Sequence, residues 1–335
     1  MPPLFALNSI DTLPTTSAAA IREFDDRYLA ALAAAEPQGW ADNLGEVVST
    51  DAPMITFPVT QLRTKYVRTE GESKFKKMAE KSFDVKVEEF DDGYQAKLKD
   101  LFEKVFAYRL WQQAPGRFIT AEGVHRHLSI AALLEAGTST LCVDGKNFFD
   151  TTHPVNLVDA TVKTQIGGST TWSNNQATAK SVVSIANIQA EVTAMMKVPD
   201  ENGFILGVMP DTLLVPIDQY EATKNLLAQQ MILAAATTAT SNGAVNNPYL
   251  GRFNVIPCKE LTNTLDWYML DSKMIAQGLK PWVSLRQTVP ASLALRSFDE
   301  SSDFFKNTGD IKMSSHVWYG FALAFPHAIR RVTGL

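Results

Sequence analysis

Asp150 and His153, in the run Asp-Thr-Thr-His-Pro, come closest to a catalytic pair by residue type and spacing. An aspartate three residues before a histidine could support general-base chemistry, and His327 could join such a site. The nucleophile would have to come from elsewhere, because the chain has no Gly-x-Ser-x-Gly turn. We therefore interpret His153 as part of a His-Pro turn with a hydrogen-bonded side chain, and we predict no catalytic residues.

Metal ligation is not indicated by the histidines or the paired carboxylates. His125 and His127 are two residues apart, so on a helix they would point to different faces, whereas a helical zinc pair needs a spacing of three or four. The adjacent carboxylates Asp25-Asp26 and Asp91-Asp92 are typical of solvated turns that bind no specific ion. The sequence therefore predicts no metal site and no cofactor.

Composition and charge indicate a globular protein. The chain has 335 residues, of which 45% are apolar and 20% charged, enough for one large or two ordinary domains. Its net charge of -5 does not suggest the basic stripe of a nucleic-acid reader. No signal peptide or membrane span is predicted, so we expect a soluble cytoplasmic protein in which Cys142 and Cys258 are buried, reduced thiols.

The run from Leu134 to Asn156 has the most distinctive pattern in the chain. A helix is predicted to end at Gly137, followed by a buried strand, an Asp-Gly turn, an aromatic pair and a His-Pro step: Leu141-Cys142-Val143, Asp144-Gly145, Phe148-Phe149 and His153-Pro154-Val155-Asn156. This run resembles the Mu-like major head subunits of tailed bacteriophages. The resemblance continues through Phe204–Ala228, a strand ending in Val-Pro and a helix, and through the aromatic segment Trp318–Phe325, and it covers roughly Phe83 to Leu335.

The resemblance implies a major capsid protein of the phage head, which is a structural protein and not an enzyme. It implies self-assembly into hexamers and pentamers of an icosahedral shell that encloses double-stranded DNA without sequence-specific binding. Portal, scaffold or decoration proteins would be further partners, and the particle would assemble in the bacterial cytoplasm. Two alternatives stay open: an encapsulin-like nanocompartment shell, and a soluble enzyme with an unrecognised site around His153, Asp150 and His327.

The implied architecture is an α+β fold of the Hong Kong 97-type capsid class. Residues 1–53 would form an N-terminal arm with one helix from about Ser17 to Ala35. Residues 54–92 alternate apolar and polar side chains on both sides of a charged middle, which predicts a long β-hairpin. In the family such a hairpin lies over the neighbouring subunit, whereas the pattern alone would equally allow a surface hairpin on the same chain.

The remainder of the chain is predicted to form two domains. Residues 93–180 would be a peripheral domain with the spine helix, residues 181–287 an axial domain, and residues 288–335 return strands of the peripheral domain. Tyr94–Trp111 and about Thr120–Glu135 are predicted as two helices separated by Pro115-Gly116, the second being the spine helix. Further helices are predicted at Ser184–Met196 and Asp218–Ala235. Strands are predicted at Phe204–Val208, Leu213–Val215, Phe253–Ile256, Asp266–Leu270, Trp282–Leu285, Ile311–Met313 and His316–Phe325.

Contacts between subunits are predicted on the arm helix, on the hairpin and on the small, polar loop that follows Ala235. In the family a loop at that place points to the symmetry axis. The candidate contact residues are Phe24, Tyr28, Arg63, Tyr66, Lys74, Phe75, Lys76, Phe83, Val85, Asn242 and Asn246.

Overall fold

The computed structural model describes residues 16–34, 39–60, 79–176, 183–233, 244–287, 293–298 and 302–334. In chain order the helices are α1 (Ser17–Ala34), α2 (Trp40–Asn43), α3 (Leu98–Glu103), α4 (Val105–Ala136), α5 (Ile185–Met196), α6 (Ile217–Ala228), α7 (Ser272–Ala276) and α8 (Asp303–Thr308), with a 3-10 turn at Pro326–Ala328. The strands are β1 (Glu46–Thr50), β2 (Met54–Thr60), β3 (Ala79–Lys86), β4 (Glu88–Lys97), β5 (His153–Pro154), β6 (Thr171–Trp172), β7 (Asn175–Gln176), β8 (Thr212–Pro216), β9 (Met231–Leu233), β10 (Ala244–Asn246), β11 (Asn254–Cys258), β12 (Trp267–Leu270), β13 (Trp282–Gln287), β14 (Leu293–Phe298), β15 (Asp310–Leu323) and β16 (Ile329–Val332).

The first five-stranded sheet is organised around β15. Its order is β1-β13-β15-β14, and β4 pairs with β15 as well. The β4 pairing is antiparallel and runs without a break from Asp310↔Lys97 to Tyr319↔Glu88. β15 is predominantly buried, as expected for a strand with neighbours on both edges. The predicted strands Ile311–Met313 and His316–Phe325 therefore belong to this single strand, which ends at Leu323.

The second five-stranded sheet has the order β11-β8-β12-β16-β7. All five residues of β8 and all four of β12 are buried, because both strands lie in the middle of this sheet and carry apolar side chains on both faces. A core cluster that includes Ile188, Val192 and Met195 of α5 and Leu227 of α6 packs on it. The division into peripheral and axial domains stays a prediction. β13, within the predicted axial range, pairs in the first sheet, and β16, within the predicted return strands, pairs in the second sheet.

The helix α4 is continuous across Pro115-Gly116, where the sequence predicted a break. A proline inside a helix costs about 3 kcal/mol, so other interactions must hold the two halves in line. Trp111 and Phe118, on either side of Pro115, are both buried in one core cluster with α1, and Pro115 is itself buried. Ile130 and Leu134 anchor the other end in a second cluster. Residues 105–111 of the first predicted helix and all of the second thus lie in one long element, which occupies the place predicted for the spine helix.

The start of the first predicted helix was wrong. Residues 94–97 extend β4 and pair with β15, and α3 begins only at Leu98. Lys104 then has an extended conformation, with φ -121° and ψ 103°, so the helical repeat restarts at Val105. As a result, the apolar residues predicted to share one buried face do not all lie on it. Leu101 is 1% exposed, whereas Phe106 is 75% and Leu110 is 45% exposed.

Three further predictions were wrong in their extent. Phe204–Val208 forms no strand; Ile205 makes a single bridge to Pro199, and Asp200 accepts a hydrogen bond from the amide of Phe204. α6 ends at Ala228 because β9 pairs with β10 shortly afterwards. Leu141–Val143 is limited to one bridge between Leu141 and Asn147, because the Asp-Gly turn follows at once and Gly145 takes a φ of 81°.

The arm helix and the hairpin were predicted close to their observed positions. α1 spans Ser17–Ala34, and β2 pairs antiparallel with β3 from Met54↔Lys86 to Thr60↔Ala79. The predicted hairpin strand to Asp92 is divided at Val87, after which β4 joins the first sheet. The sequence missed α2 and β1; β1 runs parallel to β13 and attaches residues 46–50 to the first sheet.

Candidate functional site

His153 lies at the centre of a closed polar cluster. Its side chain has no exposed surface; Nδ1 is 2.6 Å from Asp144 Oδ2, and Nε2 is 3.0 Å from Asn174 Oδ1. Asn174 donates from its amide nitrogen to the carbonyls of Phe148 and Pro326, so its Oδ1 is the acceptor toward His153. Both imidazole nitrogens therefore face oxygen acceptors, as the hydrogen-bonded His-Pro turn predicted.

The Asp150–His153 pair of the enzyme alternative is not formed, because His153 Nδ1 contacts Asp144 instead. The carboxylate of Asp150 accepts from the amide and hydroxyl of Thr152, and these local bonds outweigh the effect of burial and hold the pKa of Asp150 below its usual value. Asp144 takes the expected place beside His153. Burial alone would raise the pKa of Asp144, but hydrogen bonds from His153 and from the amide of Lys146 outweigh it and lower that pKa.

His327 is near this cluster but makes no catalytic arrangement with it. Trp172 packs against both imidazoles, with its ring centroid 4.8 Å from that of His153 and 4.6 Å from that of His327. Loss of water around His327, together with nearby His153, lowers its pKa to about 3. Burial raises the pKa of the Cys142 thiol to about 12, so it is not a ready nucleophile. The cluster therefore attaches the His153-Pro154 turn to Asn174 and Trp172. No sequence pattern indicated the role of Asn174.

His125 and His127 diverge on α4, as their spacing predicted. His125 packs against Phe90 with ring centroids 4.4 Å apart, and His127 stacks on Trp40. Burial lowers the pKa of both histidines, although Glu122 opposes the shift at His125 and Glu260 at His127. Within the described residues, no group of three or more His, Cys, Asp or Glu side chains could hold a metal ion. Among the described helices, none combines the length and apolar character needed to cross a membrane.

Two buried networks of charge fix the sheets to the helices. Asp42 of α2 pairs with Arg126 of α4 and, at 2.9 Å, with Arg286 of β13, which brings together the first sheet and both helices. Arg330 of β16 contacts Glu191 of α5 at 2.5 Å, with only 6% and 2% of the two side chains exposed. These pairs join α2 and α4 to β13, and α5 to β16.

The predicted contact residues fall into three groups. Phe24, Tyr28 and Val85 are buried within the chain, so their side chains present little or no surface to a neighbour. Phe83 is partly buried and stacks on Phe57 across the hairpin, and Asn246 is exposed on β10. The others lie outside the described residues: Arg63, Tyr66, Lys74, Phe75, Lys76 and Asn242.

Exposed apolar side chains form candidate surfaces that the sequence did not reveal. Phe106 and Leu110 are one helical turn apart on α4 and are 75% and 45% exposed. Met231 of β9 and Val245 of β10 are also exposed, as is Ile217 at the start of α6. Large apolar side chains that are exposed close together can mark sites where proteins associate.

The arrangement of two five-stranded sheets, a long helix and a two-stranded hairpin matches solved phage capsids. The procapsid of bacteriophage JBD30 is 17% identical, with a TM-score of 0.54 over 95% of this chain and 75% of that chain. The capsid of cyanophage P-SCSP1u is 8% identical, with a TM-score of 0.50 over 87% of this chain and 86% of that chain. These similarities define the class: the chain has the Hong Kong 97-type capsid fold.

Two family models assign the chain more closely. The model described as "Phage capsid protein" matches residues 144–332, and the model described as "Mu-like prophage major head subunit gpT" matches residues 18–181. The first match covers more than half of the sequence, so the chain belongs to the phage capsid protein family. It is a major capsid protein, a structural component of the phage particle and not an enzyme. No curated protein matches the sequence.

Proposed function

We propose that copies of this chain assemble as hexamers and pentamers into an icosahedral shell around packaged double-stranded DNA. The capsid family supports assembly of many copies into one particle. The net charge of -5 is consistent with a wall that encloses DNA without gripping its phosphates. Assembly in the host cytoplasm, and docking of portal, scaffold or decoration proteins, are parts of the same proposal.

The exposed pair Phe106 and Leu110 is the observation that carries the proposal. Exposing a large aromatic and a leucine on one helix face to water is unfavourable. Covering apolar surface stabilises by about 25 cal/mol per Å². A neighbouring subunit can cover them without any change inside the chain. The free energy gained at this one contact is small, but each subunit would bury other surfaces against further neighbours, and the contacts add by multivalency.

The hairpin β2–β3 supports the same conclusion. It is a two-stranded sheet by itself, and two-stranded hairpins are marginally stable unless they pack on something. Its base packs on the first sheet through Val85, together with Val283 and Leu285. Phe83 and Asn246 remain our candidates for intersubunit contact, with Lys74, Phe75 and Lys76 between the two hairpin strands.

Electron microscopy and light scattering of the protein expressed alone would test the proposal. We expect closed shells or hexamer rings, and a monodisperse dimer under crowding would contradict it. Phe106→Ser combined with Leu110→Ser should lower the shell yield without changing the far-UV spectrum, whereas Lys99→Ser, at an exposed polar position of α3, should assemble normally. Shells from infected cells should protect DNA from nuclease; protein cargo without DNA would favour the nanocompartment alternative.

A further inference from the structure

A small cavity opens between α4 and the face of the first sheet. Its volume is about 130 Å³, and its apolar surface comes from Phe90 of β4, Val317 of β15 and Phe118 of α4. Phe90 and Val317 are cross-strand partners, so they form a continuous floor. Asp91 and Asp92 also line the cavity, and both are exposed to solvent.

The size and lining of this cavity select a particular kind of side chain. An engineered protein cavity of about 150 Å³ binds benzene, so a space of this volume accommodates about one phenyl ring. An apolar floor favours an aromatic ring. The exposed carboxylates Asp91 and Asp92 favour cations beside that ring. The fitting ligand is therefore an aromatic residue with basic neighbours in sequence.

The chain contains such a segment between β2 and β3. Lys74-Phe75-Lys76-Lys77 places one phenyl ring among three lysines. We propose that this segment of a second copy docks at the cavity, with Phe75 on the floor and its lysines at Asp91 and Asp92. The inference rests on the proposed self-assembly and names the residues of one contact within it.

Chain connectivity excludes the cavity of the same copy. Phe75 is four residues from Ala79, so it lies within about 14 Å of Ala79 even when fully extended. β3 then leads from Ala79 to Lys86 over about 23 Å at about 3.3 Å per residue.

β4 carries the chain onward from there. Tyr319 pairs with Glu88, and a Cβ at the next residue, Gly320, would be only 2.4 Å from the carbonyl oxygen of Lys86. The end of β3 and the start of β4 therefore lie in succession along β15, and the cavity is beyond the reach of Phe75 in its own chain.

A mixed-shell disulfide experiment tests the contact. Subunits with Phe75→Cys are assembled with subunits carrying Ala121→Cys, at an exposed residue that lines the cavity, and the shells are oxidised. The native Cys142 and Cys258 are buried and should not interfere. We expect a covalent dimer on a non-reducing denaturing gel, at least tenfold more abundant than in shells that combine Phe75→Cys with Thr120→Cys. Thr120 is exposed and adjacent to Ala121, but points about 100° away around the helix.

Closed mixed shells that yield only monomers on the gel would overturn the docking proposal and leave the proposed shell function intact. Failure of the unsubstituted chain to form shells would instead reject the shell function itself. If the cysteine variants do not co-assemble, charge reversal decides the question. Asp92→Lys should lower the shell yield, and adding Lys74→Glu and Lys76→Glu to the same chain should restore it; absence of rescue would also overturn the contact.

Discussion

Replacing Glu191 by glutamine should destabilise the folded subunit by about 3 kcal/mol. Arg330 and Glu191 are almost completely enclosed, so the substitution leaves a guanidinium charge without its counter-charge in a region from which water is excluded. Breaking a buried ion pair in this way typically costs about 3–5 kcal/mol. Arg330 keeps its hydrogen bond to the carbonyl of Ser173 at 2.7 Å, which places the expectation near the lower end of that range.

The measurement is urea unfolding of unassembled subunits, followed by fluorescence and circular dichroism. Urea is preferable to guanidinium because a salt would screen exposed pairs. A loss of about 3 kcal/mol reduces the folded-to-unfolded ratio by about two orders of magnitude. Glu103→Gln is the matched control, because it removes the same charge from an exposed pair. In that pair the side chain of Lys99 is 78% exposed and that of Glu103 is 58% exposed. The control should change stability by less than about 0.5 kcal/mol. Equal effects of the two substitutions would refute the reasoning from burial.

Two further predictions concern acid stability and backbone approach. Burial lowers the pKa of His327 to about 3 in the folded chain, whereas a histidine in the unfolded chain has a pKa of about 6.5. Between about pH 6.5 and pH 3, only the unfolded chain therefore binds this proton. Stability should therefore fall as the pH drops below about 6.5, and His327→Phe should reduce this loss in urea titrations at pH 7 and pH 5; an unchanged pH dependence would contradict the assignment. Gly320→Ala should destabilise by about 1–3 kcal/mol, because its Cβ would lie 2.4 Å from the carbonyl oxygen of Lys86. Gly93→Ala is its control, since the nearest atom there is 3.3 Å away; similar melting temperatures for the two variants would contradict the prediction.

The sequence predicted the elements whose patterns are local. The alternation of apolar and polar residues revealed β2 and β3, and the residues between Thr16 and Ala34 revealed α1, because each signal lies within one element. The capsid class came from the Leu134–Asn156 run and its resemblance, and both the family and the fold were confirmed.

Long-range pairing decided the elements that were predicted wrongly. Tyr94–Lys97 satisfies a helical pattern but pairs with β15, more than two hundred residues later in the chain. Pro115 signals a helix break, yet tertiary packing on both sides of it keeps α4 intact. Local sequence rules could not predict the partner Asn174 of His153 either, because Asn174 is 21 residues away and reaches His153 only in the folded chain.

In the proposed shell, the ladder between β4 and β15 would carry mechanical load from the hairpin into the first sheet. Ten residue pairs join these strands, and the hairpin strand β3 leads into β4 through Val87 alone. A tensile force along the hairpin therefore acts parallel to β4 and loads its hydrogen bonds in shear, all at once. Unzipping would break the same bonds one after another at lower force. In the proposed shell, pressure from packed DNA that stretched the wall would be resisted by the strand at the centre of the first sheet.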